Sequence, residues 1–207
     1  MYKYFSDNFE IKSQSSYPNL LEDTGFLYDY GLFETILIQK KISIFFKEHF
    51  NRLEKSAKVL GIPFDILESK MLQAINALIE INNINDAKLN IYLTAGCNSS
   101  KKNIRPHSRF LLVVRSLPIE KEYSLTIKKD KFSRTTLDSL KTLSFLRNFL
   151  EKKQAYPFDD VILYNSRKNI LETTTANVFF IKERTIFTPK SSLILSGIAR
   201  NWLKNNC

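Results

Sequence analysis

The chain has 207 residues with 43% hydrophobic and 13% aromatic side chains, enough apolar material for one large cored domain or two small ones. Two cysteines and two histidines exclude a disulfide framework and argue against a zinc cluster, so no metal is expected. The formal net charge is +10, but the lysines and arginines are scattered, which reads as a solvated basic surface and not as a nucleic-acid site.

The opening residues carry no apolar run, and the longest such stretch, Phe110-Leu111-Leu112-Val113-Val114, is too short to span a bilayer. No secretory signal or membrane segment is expected, and a soluble cytoplasmic protein is the default. Five glycines, none spaced for a dinucleotide fingerprint or P-loop, exclude nucleotide binding by those devices. Residues 33–38 and 42–46 are β-rich and separated by Gln39-Lys40-Lys41, predicting a hairpin without an Asn-Gly turn. Residues 48–60 predict a helix with Phe50, Leu53, Ala57 and Leu60 as its apolar stripe, ended by Gly61 and Pro63. Asp65 is placed to cap a second helix bearing Leu67, Met71, Ile75, Leu78 and Ile79.

Strands at 89–94 and 110–115, joined by a polar loop, complete an N-terminal lobe over residues 1–116. Residues 117–121 read as a linker, and residues 122–207 as a second lobe. That lobe begins with a strand near 123–128 and a helix over 140–155. Short strands at 161–164, 177–182 and 185–187 follow, and then Ser196-Gly197-Ile198-Ala199-Arg200 leads into a closing helix. The fold class is α/β (α+β) in two lobes.

Four features bear on chemistry. Lys141 falls near the start of the predicted 140–155 helix, where the dipole disfavours an ammonium; by position alone it reads as a solvated helical lysine. Glu172 precedes three threonines and is either an exposed turn acid or a carboxylate able to hold a protonated ring nitrogen. His49, Arg52 and Ser56 share one helical face, and arginine's planar fork suits phosphate; the alternative is a solvated face. Ser196-Gly197 ahead of Ile198-Ala199 resembles a helix start, whose unpaired amides form an anion site, or else an ordinary cap.

Together, Gly31-Leu32-Phe33-Glu34-Thr35, His49-Phe50-Asn51-Arg52-Leu53, Lys141-Thr142-Leu143-Ser144, residues 172–179, Thr188-Pro189 and residues 196–200 resemble the class IV aminotransferase family of pyridoxal-phosphate (PLP) enzymes. That family includes branched-chain aminotransferases, D-amino acid aminotransferase and 4-amino-4-deoxychorismate lyase. The resemblance implies a two-lobed, D-amino acid aminotransferase-like PLP fold. It implies Lys141 as the Schiff-base lysine and Glu172 as the partner of the pyridine nitrogen. Arg52 and the amides of Ile198 and Ala199 become phosphate ligands, while Thr175 and Asn177 line the cofactor. Thr35 matches a lyase threonine whose hydroxyl assists proton transfer, although it also reads as a plain strand residue. Arg105 and His107 fall in the neighbourhood where D-amino acid enzymes hold a substrate carboxylate, with a longer spacing from Gly96.

The implied partners are a small anionic amino substrate and a second copy of the chain in a homodimer, with neither nucleic acid nor membrane. The leading activity is conversion of 4-amino-4-deoxychorismate to 4-aminobenzoate and pyruvate, a folate-pathway reaction. The alternatives are a class IV amino acid transaminase and a non-catalytic PLP-binding or interaction protein. Family members continue for several elements past the position of Arg200, so the C-terminal lobe is expected to be shortened. Ala199 stands where a threonine is common, removing a hydroxyl.

Overall fold

In the computed structural model, which describes residues 2–13, 21–97, 108–119, 121–131 and 133–207, the chain divides into two units. One is Met1–Ile119 with Lys141–Leu143; the other is Glu120–Leu140 with Ser144–Cys207.

The first unit contains β1 (Tyr4–Asp7), β2 (Glu10–Ser13), α1 (Thr24–Tyr28), β3 (Gly31–Gln39), β4 (Ile42–Ser43), α2 (Phe46–Leu60), α3 (Glu68–Ile81), β5 (Ala87–Thr94) and β6 (Arg109–Arg115). Its sheet runs β2-β1-β6-β5-β3-β4, and every pairing is antiparallel. The two-residue period puts Leu32, Ile36 and Ile38 of β3 in the core beside Leu89, Ile91 and Leu93 of β5 and Leu112 of β6. Helix α2 packs on β3, and α3 on β1 and β2, adding Phe50, Leu53, Met71, Ile75 and Leu78 to that core. Each such side chain contributes about 1.5–3 kcal/mol by leaving water. One residue of the buried β3 row is not apolar: Glu34.

The strand after the hairpin turn is only Ile42–Ser43, because Phe45 takes a left-handed conformation (φ 55) and helix α2 begins at Phe46. The second helix starts at Glu68 with Leu67 as its N-cap, not at Asp65. Phe64 packs on Phe50 and Phe110, with ring centroids 5.3 and 5.6 Å away, which anchors the connection before the helix. The β1–β2 hairpin and α1 were not anticipated. Their turn and cap residues, Asn8-Phe9 at φ 48 and 69 and Asp23 accepting from Gly25 and Phe26 amides, are weak signals in sequence.

The second unit contains β7 (Leu125–Lys129), a 3-10 turn (Thr136–Ser139), α4 (Leu146–Gln154), β8 (Asp160–Tyr164), β9 (Ile170–Thr173), β10 (Phe180–Lys182), β11 (Thr185–Phe187) and α5 (Ile198–Asn206). Strands β7 and β8 are parallel, β8 and β9 antiparallel, and β10–β11 is a separate hairpin. Val161 and Leu163 of β8 are buried with Ala155, and α4 packs on β8.

The helix expected over 140–155 is shorter, and Lys141 lies outside it. Residues 141–143 instead extend along the edge of β3: Phe33 N donates to Lys141 O at 2.9 Å, and Leu143 N donates to Gly31 O at 3.0 Å. The reason is backbone satisfaction. β4 pairs only with Ile38 and Gln39, so the 31–33 stretch of that edge needs another partner. The strand expected over 177–182 begins only at Phe180, and β9, which carries Glu172, was not foreseen.

Candidate active site

In the first unit, Glu34 is 1% exposed because its strand position faces α2. One turn of α2 brings His49 and Arg52 to it. Glu34 Oε2 lies 2.7 Å from His49 Nδ1, and Arg52 donates from Nε to Oε1 at 2.7 Å and from Nη2 to Oε2 at 2.6 Å. Burial pushes the Glu34 carboxyl up, but the hydrogen bonds and charges of Arg52 and His49 outweigh it and hold the group below its ordinary value. The solvated alternative for this face does not hold, since His49 and Ser56 are buried and Arg52 is largely so. In sequence Glu34 stands in the Gly31–Thr35 motif with no assigned role, and its signal is a lone acid in an otherwise apolar alternating row.

The opposite face of the sheet holds Phe33 and Thr35 of β3 beside Tyr92 and Asn90 of β5, directly paired in register. The Lys141 Nζ lies 4.3 Å from the Phe33 ring centroid, where the ring's negative face meets the ammonium. The helix-dipole rationale for this lysine fails, since it sits in extended chain. Gly31 is needed beneath it: a Cβ there would come within 2.5 Å of Leu93 O and 2.6 Å of Leu143 Cδ1. Thr35 Oγ1 accepts from Asn90 Nδ2 at 3.2 Å.

In the second unit, Glu172 is buried at the end of β9. It accepts from Arg134 Nη1, from Asn177 Nδ2 at 3.1 Å and from the Leu195 amide at 3.2 Å. Burial pushes its carboxyl up; Arg134 and the Leu195 amide pull the other way without cancelling it. Arg134 also donates to Asp130 at 3.0 Å, and Asp130 receives Arg147 as well. Arg134 was missed in sequence because nothing local distinguishes it from other arginines. Thr175 donates to Asp160 Oδ2 at 2.7 Å, and Thr174 donates to Oδ1 of the same carboxylate.

Asn177 also donates to Leu195 O at 3.0 Å, which ties Glu172 to the start of α5. That helix has Gly197 as N-cap and no side-chain cap bond. A Cβ on Gly197 would sit 1.9 Å from Asn177 Oδ1, so only glycine allows this approach. The amides of Ile198 and Ala199 open the helix, where no preceding turn supplies carbonyls. Arg200 fixes the helix start by bonding Thr188 Oγ1 at 3.1 Å and the Pro189 carbonyl. Arg105 and His107 lie outside the described residues.

The first unit thus carries an amine against an aromatic ring, and the second a buried carboxylate with a raised pKa and a helix start without a side-chain cap. The mixed α/β scaffold that carries them is of the class IV aminotransferase fold. The sequence profile of the amino-transferase class IV family matches residues 31–207, and the chain belongs to that family, one of PLP-dependent enzymes. It is 30% identical over 163 residues to a candidate branched-chain-amino-acid aminotransferase of Rickettsia felis, covering 74% of this chain and 56% of that protein. It is 26% identical over 197 residues to an aminodeoxychorismate lyase of Bacillus subtilis, covering 89% and 67%. The solved structure of a candidate 4-amino-4-deoxychorismate lyase from Legionella pneumophila superposes with a TM-score of 0.83 at 29% identity, over 93% of this chain and 74% of that one. Relatives named D-alanine aminotransferase match as well. The chain thus spans less than two thirds of the first curated relatives it matches.

Proposed function

We propose that the chain binds PLP and acts as a lyase on 4-amino-4-deoxychorismate, releasing pyruvate and leaving 4-aminobenzoate. Bound PLP supplies an electron sink for the negative charge left at a substrate carbon. Lys141 would hold the cofactor by its amine and, once released, carry the proton at the substrate carbon. Glu172 would keep the ring nitrogen protonated, with Arg134, Asn177 and the Leu195 amide fixing the carboxylate's orientation. Arg52 and the Ile198 and Ala199 amides would take the phosphate, while Thr175 and Asn177 line the ring. The homodimer and the cytoplasmic setting belong to the same proposal.

The observation that carries the lyase reading is Thr35, whose hydroxyl lies on the same sheet face as the Phe33 ring under the Lys141 amine. The lyase-named relatives support it. A transaminase is the second reading, favoured by the aminotransferase names among the matching relatives.

Borohydride reduction of the PLP-treated chain is expected to add the cofactor's mass to the Lys141 peptide and to no other, and Lys141→Ala is expected to abolish the adduct. Formation of 4-aminobenzoate without a keto-acid acceptor supports the lyase. Turnover only in the presence of an acceptor replaces it with the transaminase. Absence of the Lys141 adduct rejects both.

A further inference from the structure

Asn90 lies opposite Thr35 in the β5–β3 register and is 8% exposed. The core takes its neighbours Leu89 and Ile91, so the side chain stands on the face that carries Phe33, Thr35 and Tyr92. Its Nδ2 donates to Thr35 Oγ1 at 3.2 Å. Its Oδ1 is buried and has no hydrogen-bond partner among the described residues. The opposite amide orientation would leave both N–H donors of Asn90 buried beside a hydroxyl that was itself donating, a worse arrangement.

Two consequences follow from donor counting. A threonine hydroxyl has one proton, and one that accepts from Asn90 keeps that proton to give elsewhere. An orphaned acceptor in a buried row is costly unless something donates to it. Sites built to hydrogen-bond a substrate N–H or O–H carry such acceptors, and they reject analogues that lack the donor.

We propose that Asn90 is a positioning and specificity-determining residue: its amide N–H orients the Thr35 hydroxyl as a donor, and its carbonyl oxygen accepts from an N–H or O–H group of the substrate. This rests on the PLP-enzyme reading of the same site. The Lys141 amine, the Thr35 hydroxyl and the Asn90 oxygen then lie on one face of the sheet, among Phe33, Tyr92 and Val113.

The test uses the full chain loaded with PLP, with 4-amino-4-deoxychorismate as probe, or an amino acid donor with a keto-acid acceptor if that is the turnover the wild type shows. Asn90→Leu removes both roles. It is expected to raise KM and lower kcat by roughly 10-fold each. Asn90→Asp keeps the oxygens but loses the donation to Thr35, so it is expected to lower kcat with KM within about 2-fold. Borohydride adduct formation at Lys141 is expected to be unchanged in both. The thermal midpoint of Asn90→Leu is expected to stay level or rise by a few degrees, roughly the scale of removing one unpaired group.

A lowered midpoint with unaltered kcat and KM would show a structural asparagine and overturn the proposal. If Asn90→Asp does not fold, Asn90→Leu decides alone. A wild type that forms no Lys141 adduct rejects the PLP reading, and the inference falls with it. A wild type that forms the adduct and turns over, matched in kcat and KM by Asn90→Leu, rejects this inference only.

Discussion

Gly197 shows how little room the second unit leaves at its polar centre. Its missing side chain lets Asn177 reach both Glu172 and the Leu195 carbonyl, because a Cβ would overlap Asn177 Oδ1 at 1.9 Å. Gly197→Ala must move either the amide or the start of α5. Overpacking of this kind costs about 1–3 kcal/mol, and it displaces a donor from Glu172. The expected outcome is a lower unfolding midpoint in urea together with weaker PLP binding by fluorescence titration. An alanine variant with both quantities unchanged would mean that the helix start shifts freely and does not organise the carboxylate. Glycine's signal at this position is spatial: the sequence shows a cap, while the contact that demands glycine comes from a residue twenty positions earlier.

At the scale of elements, the β3–β4 turn is a site where local chemistry disagrees with conformation. Lys40 and Lys41 take φ of 50 and 66, the paired left-handed conformation that Asn-Gly adopts readily and lysine does not. The turn is held by the Lys40 amide donating to the Asp86 side-chain Oδ1 at 3.0 Å and the Lys41 amide donating to the Asn85 carbonyl at 2.9 Å. Replacing the pair by Asn-Gly keeps those amides, so a gain of about 1 kcal/mol is expected in chemical denaturation, with the Lys141 adduct unaffected. A loss of stability would show that the lysine side chains support the turn. The same elements show what sequence could reveal. Period-two and helical patterns were legible where both faces differ, as in β3, α2 and α3. The pairing of residues 141–143 with β3 was not, because its cause is an unsatisfied strand edge more than a hundred residues away. The ordered motifs marked Lys141, Arg52 and Glu172 as candidates. Arg134, the partner of Glu172, and Asn90, the partner of Thr35, are defined by packing and have no local signature, whereas Glu34, the partner of Arg52, shows as a lone acid in an apolar row.

For the molecule as a whole, the buried carboxylates set the expected response to acid. Glu34 is held below its ordinary value, burial notwithstanding, by Arg52 and His49. Asp160 is held down, again against burial, by the hydroxyls of Thr174 and Thr175 and the Val161 amide. A carboxyl with a lowered folded-state pKa binds its proton more weakly folded than unfolded. Its contribution is complete above the unfolded value, about 4, and is lost as pH falls through the lower folded value. Glu172 is raised, chiefly by burial, so its sign is opposite: it favours the fold at pH values below its unfolded pKa and ceases to do so as pH rises through its folded one. Asp7 is likewise buried and held down, chiefly by its hydrogen bonds to Arg109, and three lowered groups against one raised group predict a thermal midpoint that is level near neutrality and falls steeply below about pH 4. Glu34→Gln provides the check. It removes one partner of a buried ion pair, for which a loss of about 3 kcal/mol is expected at pH 7. It also removes one titration, so the variant's midpoint should decline less between neutrality and pH 3 than the wild type's. Parallel midpoint curves for the two proteins would assign the acid limb to other carboxylates and remove Glu34 from this account.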